Sequence, residues 1–189
     1  MVADQTDGFL VLHRGRILHE SYCDAMRPQD LHLSMSMSMS MSMSMSMSMA
    51  KSILGILTGI LADAGRIDLA APLAAHLPEL AATGYRGATV QHLLAMTLGV
   101  VVDESYDVPG SHMQKLGEAV VWADGPRTEG WPQTVWQLIL ELTETERVHG
   151  AQFLYRSIET DLLGFVVERV TGQPLAELVS ELIWQKIGA

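Results

Sequence analysis

Between Ser34 and Met49 the chain alternates serine and methionine without interruption, eight of each. Strict period two matches a strand with one methionine face and one serine face. Ordinary strands, however, run about 3–10 residues. Wound as a helix, the tract scatters its methionines all round and leaves no apolar stripe to bury. Neither element is specified, so residues 34–47 read as a poorly ordered, low-complexity insertion. Held as an exposed strand they would be an aggregation hazard, because no charge interrupts them. A fold must therefore be built from the segments on either side.

Those segments have material for a core. Of the 189 residues 48% are apolar and 18% charged, which excludes a disordered acidic tail. The net charge of −10 argues against nucleic acid as a partner, since binding it needs clustered Lys and Arg. The single cysteine, Cys23, excludes an internal disulfide framework and any Cys-rich zinc site. None of the seven histidines shows a ligand spacing such as His-Glu-x-x-His, so no metal and no cofactor is expected. The N-terminus carries Asp4 and Asp7 rather than a basic region, which does not read as a signal peptide. The longest apolar run, Ile53 to Ala62, is interrupted by Gly55, Thr58 and Gly59 and is too short for the ~20 residues of a membrane span. The default expectation is a soluble cytoplasmic protein without a membrane partner.

Residues 8–22 predict two short strands around an Arg14-Gly15 turn. Beyond Pro28 and the repeat the spacing becomes helical. Ile53, Leu54, Leu57, Ile60 and Leu61 recur at three and four, with Gly65 placed to end the helix. Thr89 is positioned to cap a short helix bearing Val90, Leu93 and Leu94. Residues 99–110 have loop character, and helical patterns return at about 112–123, 133–145, 158–171 and 174–187.

Chemistry is concentrated where the repeat ends, at Ser48-Met49-Ala50-Lys51. Ser-x-x-Lys at a helix start puts both side chains on one face, one turn apart. The positive end of the helix disfavours a protonated lysine and favours a developing oxyanion, which suits a serine nucleophile. The seven earlier serines of the tract lack a lysine at that spacing. Taken alone, the pair is a weak signal and reads sooner as a capping serine followed by a solvated lysine. About a hundred residues later Tyr155-Arg156-Ser157 precedes an apolar helix and presents a tyrosine in a loop. A tyrosine close to a lysine cation can take part in proton transfer. Its plain alternative is an aromatic packing residue. The four tryptophans read as core or groove residues, and Glu141, Glu144 and Glu146 as a solvated face.

In this order the motifs resemble the penicillin-recognising serine hydrolases, in their class C β-lactamase-like branch. Ser48-Met49-Ala50-Lys51-Ser52 resembles the first motif, and Tyr155-Arg156-Ser157 the Tyr-x-Asn/Ser motif. Between them, Gly65 to Leu69, Pro72-Leu73, Leu77-Pro78-Glu79 and Thr89 to Thr97 resemble the intervening segments, and Leu163-Gly164 to Thr171-Gly172 the helix after the second motif. The 6-aminohexanoate-dimer hydrolases, amide and ester hydrolases, are the most similar branch. The resemblance implies an α+β fold of the β-lactamase/DD-peptidase type. It implies Ser48 as the acylated nucleophile, Lys51 and Tyr155 sharing the proton work, and Tyr106 and Ser157 at the substrate. Small-molecule amides or esters are the implied substrates, and the oligomeric state is left open.

Three departures accompany it. The family's Lys/His-Thr/Ser-Gly triplet on a strand is absent, since Lys186-Ile187-Gly188 ends a helical segment. The C-terminal strands that complete the sheet and supply the second oxyanion donor are missing. The family's single Ser-Met step is here expanded from Ser34. The expectation is an N-terminal hairpin (8–22), the insertion (34–47) and a mainly helical region (48–189) of a truncated serine hydrolase domain. The alternative is a catalytically inactive fragment, at most a binding module.

Overall fold

The computed structural model describes residues 8–23, 27–29, 48–121 and 126–188. The Ser-Met tract up to residue 47, and with it the expected insertion, lies outside them, as does Trp122. The chain divides into two compact units, Met1–Ser46 and Met47–Ala189.

In the first unit, strands β1 (Gly8–His13) and β2 (Arg16–Tyr22) pair antiparallel, from Gly8 opposite Tyr22 to His13 opposite Arg16. Arg14 (φ 50°) and Gly15 (φ 75°) form the two-residue turn. Positive φ at both central positions is the geometry whose twist suits a tight hairpin, and glycine supplies half of it without strain. The register shifts between Val11 and Leu12. Among the described residues this is the only sheet.

The second unit is helical. Helix α1 spans Met49–Asp63 and buries Leu54, Leu57, Thr58 and Leu61 on one face. A short α2 (Leu73–His76) and a 3-10 turn (Pro78–Ala82) lead to α3 (Val90–Leu94). Thr89 caps α3 by accepting from His92 N–H, while the His92 ring accepts the Thr89 N–H in return. After the loop come α4 (His112–Ala119), α5 (Val135–Glu141) and α6 (Ser157–Thr171). The C-terminal segment is α7 (Leu175–Val179), a π-helical turn (Ser180–Trp184) and α8 (Gln185–Ile187).

Helix α6 is the hub, packed against α1, α2, α3, α5 and α7. Its Ile158, Leu162, Val166 and Val167 are almost wholly buried, with Leu57 of α1, Leu73 of α2 and Leu138 of α5 in the same core. Gly164 permits the close approach of α7, since a Cβ there would sit 3.0 Å from Leu175 Cδ1.

Helix α5 is shorter than the expected 133–145. It stops at Glu141 because the following residues pair with the chain near Gly99 instead. Gly84 N–H donates to Leu142 O (2.8 Å), Val101 N–H to Glu144 O (3.0 Å) and Glu146 N–H to Gly99 O (2.8 Å). A short bridge joins Val100 to Thr145. These long-range bonds satisfy backbone groups that helical continuation would have used internally. Gly99 makes the pairing possible, because any Cβ there would lie 1.9 Å from Arg147 O.

Candidate active site

Ser48 stands immediately before α1 with helical backbone angles, and its hydroxyl makes no capping bond. The capping-serine alternative therefore does not describe it. Its Oγ instead lies 2.5 Å from the hydroxyl of Tyr155, 107 residues away. One turn further along α1, Lys51 Nζ sits over the Tyr155 ring, 5.2 Å from its centroid. A cation over an aromatic face is attracted by the ring quadrupole. Ser48, Lys51 and Tyr155 thus come together at the N-terminal end of α1.

Tyr155 is held by the chain on both sides of it. Leu154 N–H donates to Met96 O (2.8 Å), and Met96 itself adopts φ 50° at the end of α3. A left-handed backbone costs a non-glycine residue roughly 1–2 kcal/mol and occurs where surrounding contacts enforce it. On the other side, Ser157 N–H opens α6 and donates to both carboxylate oxygens of Glu104, at 2.9 and 3.2 Å. Burial and the Glu104 charge raise the Tyr106 phenol above its ordinary value, and the nearby Ser157 side chain opposes that rise. Tyr106 and Ser157, the two candidate substrate-binding residues, therefore lie near each other beside Tyr155.

The loop carrying Glu104 and Tyr106 is itself pinned. Asp103 N–H donates to His112 Nδ1 (2.9 Å), Asp103 Oδ1 accepts from Ser105 N–H (3.0 Å), and Met113 N–H donates to Asp103 O (3.2 Å). Burial holds His112 below the usual imidazole range. The neutral ring leaves Nδ1 free to accept that bond. Hydrogen bonds from Ser105 hold the Asp103 carboxyl below its ordinary range.

Two carboxyl groups of α6 have strongly raised pKa values. Burial pushes Asp161 up to about 6, opposed by the Lys51 ammonium and aided by the Glu104 charge. Asp161 lines a cavity of about 400 Å³ with Ala50, Ile53 and Leu54 of α1 and Phe165 of α6. Also on α6, Glu159 is 1% exposed, and burial raises it to about 8 against the pull of Arg156. Among the described residues neither Glu159 carboxyl oxygen nor the Tyr85 hydroxyl has a hydrogen-bond partner. Burial also drives the Tyr85 phenol far above its ordinary range. Arg156 also reaches Glu146 at 3.5 Å.

Sequence reading singled out neither Glu104 nor Asp161. Glu104 lies two residues before Tyr106, but nothing in its spacing points to Ser157, 53 positions later. Asp161 sits one turn into α6, and its relation to Lys51 exists only because α6 packs on α1.

The beta-lactamase family model matches residues 5–189. The chain belongs to that family. It is 36% identical over 186 residues to the 6-aminohexanoate-dimer hydrolase of Paenarthrobacter ureafaciens, covering 97% of this chain and 43% of that protein. A solved structure of a protein assigned as a 6-aminohexanoate-dimer hydrolase, from Bacillus anthracis, superposes with a TM-score of 0.71 at 27% identity, over 94% of this chain and 43% of its own. A D-stereospecific amidohydrolase from Streptomyces sp. gives 0.55 at 26% identity, over 75% of this chain and 41% of the other. The chain spans under half the length of each of these proteins. The α+β, β-lactamase/DD-peptidase-like fold follows from these matches. Among the described residues no helix is long and apolar enough to cross a membrane.

Proposed function

We propose that the chain is a serine hydrolase that cleaves small amides or esters through an acyl-enzyme on Ser48. The observation that carries this is the 2.5 Å contact between Ser48 Oγ and the Tyr155 hydroxyl, with the Lys51 ammonium over the same ring. In the acylation step Ser48 Oγ attacks the carbonyl carbon while its proton passes to the Tyr155–Lys51 pair. The Tyr155 oxygen takes it as the phenolate, whose negative charge the Lys51 ammonium beside the ring offsets. The C–N or C–O bond then breaks, and the proton returns to the leaving amine or alcohol. Water adds to the acyl carbon in the second half, and Ser48 leaves with its proton restored. The Ser48 N–H supplies one oxyanion donor, a contribution typically worth ~10²–10³ in rate. Tyr106 and Ser157 contact the substrate from the other side of Tyr155.

The relatives carry the same reading to the substrate class, since two of them bear names of amide-bond hydrolases. The test is covalent labelling of the purified chain with a fluorophosphonate, read by intact mass. The expected result is one adduct, mapped to Ser48 and abolished in Ser48→Ala. No mass gain, or an unchanged gain in Ser48→Ala, overturns the proposal and favours the inactive-fragment alternative.

A further inference from the structure

We infer that Glu104 is a positioning residue, which clamps the start of α6 so that Tyr155 stays aimed at Ser48. The inference rests on the reading of Ser48 and Tyr155 as the reacting pair. Its basis is the way the Leu154–Ser157 segment is attached. Leu154 is tied to Met96 O at one end and Ser157 to Glu104 at the other, with Tyr155 between the two ties. The residue at the N-cap position of α6 is Arg156, whose side chain makes no capping bond and could not accept one. The first free N–H of a fifteen-residue helix is instead satisfied by a carboxylate from a distant loop, in bifurcated fashion. Helix starts leave such donors unpaired, and an anion there is doubly favoured by hydrogen bonding and by the helix field.

Glu104 is fit for a clamp because its own loop is fixed. Asp103 is bound through its N–H to His112, through its carbonyl to Met113 and through its carboxylate to Ser105. Losing the carboxylate frees one end of the Tyr155 segment while leaving Ser48, Lys51 and Tyr155 chemically intact. Misplacing a reacting group by about 1 Å can cost on the order of 10² in rate.

The test compares the rate of fluorophosphonate labelling at Ser48 in the unaltered chain, Glu104→Ala, Glu104→Met and Glu104→Gln. Amide hydrogen exchange in peptides covering 154–160 accompanies it. Alanine and methionine, which cannot accept the Ser157 N–H, are expected to slow labelling by about 10–10²-fold. Both should also release amide protection at the start of α6. Methionine keeps the side-chain volume and guards against collapse of the alanine variant. Glutamine retains an acceptor oxygen and is expected to restore labelling to within about threefold and to keep Ser157 protected. A fluorophosphonate carries no cationic group, so a change in its rate does not report substrate charge recognition. Unaltered labelling in folded Glu104→Met, or lost labelling without lost protection, overturns the clamp. Failure of the unaltered chain to label overturns the reading of Ser48 instead, and the exchange data then still show whether Glu104 holds α6.

Discussion

Replacing Tyr155 by Phe removes one oxygen and keeps the ring beneath Lys51, so it separates hydrogen bonding from cation–π packing. The hydroxyl bonds Ser48 Oγ at 2.5 Å, and Tyr155 is 40% exposed. Water can replace the lost partner, so the change in folding stability should stay within about 1 kcal/mol. Acylation should respond far more strongly. Removal of a general acid–base group typically costs ~10²–10⁴ in rate, or about 3–5 kcal/mol of barrier. The assay is the second-order rate of fluorophosphonate labelling, with thermal unfolding of the same samples as control. Retention of labelling within threefold, with an unchanged melting temperature, would refute Tyr155 as a proton carrier. It would reduce the short contact to an incidental one. A collapse of both rate and stability would refute the separation on which the prediction is built.

Lys51→Met keeps the length of the stem and removes the charge over Tyr155, so labelling of Ser48 should fall by at least ~10² while the helix persists by circular dichroism. Glu159 predicts a pH dependence of stability. Its folded-state value of about 8 lies above the ordinary 4.5, so the native state binds the extra proton in that window and stability falls as pH rises through it. The fall is expected to reach a few kcal/mol by pH 8, and Glu159→Gln should flatten the melting-temperature profile between pH 5 and 8. Gly99→Ala forces a Cβ to within 1.9 Å of Arg147 O, and destabilisation of at least ~2 kcal/mol in urea titration is the expected outcome. Leu162→Ala opens the fully buried centre of α6, with an expected loss of about 2–5 kcal/mol in the same measurement.

The residues that could be read from the sequence are those whose neighbours lie one helical turn away. Ser48 and Lys51 share a face because they are three apart, and Thr89 announces its helix because a cap acts on the residues that follow it. The hairpin is legible for the same reason, since Arg14-Gly15 is its own turn. What joins these pieces was not legible, because it is made by backbone groups that carry no side-chain signature. The end of α5 is set by bonds from Gly84, Val101 and Glu146 to partners over forty residues away along the chain. The same applies to the junction that positions Tyr155. Its ties run from the carbonyl of Met96 and the carboxylate of Glu104, and neither residue type at that position is distinctive in a linear reading. Motif residues name the chemistry, whereas the angle at which Tyr155 meets Ser48 is written in loop residues that a motif search passes over. It follows that substitutions at Glu104 should separate geometry from chemistry more cleanly than any change to Ser48, Lys51 or Tyr155, each of which alters a reacting group and its placement together.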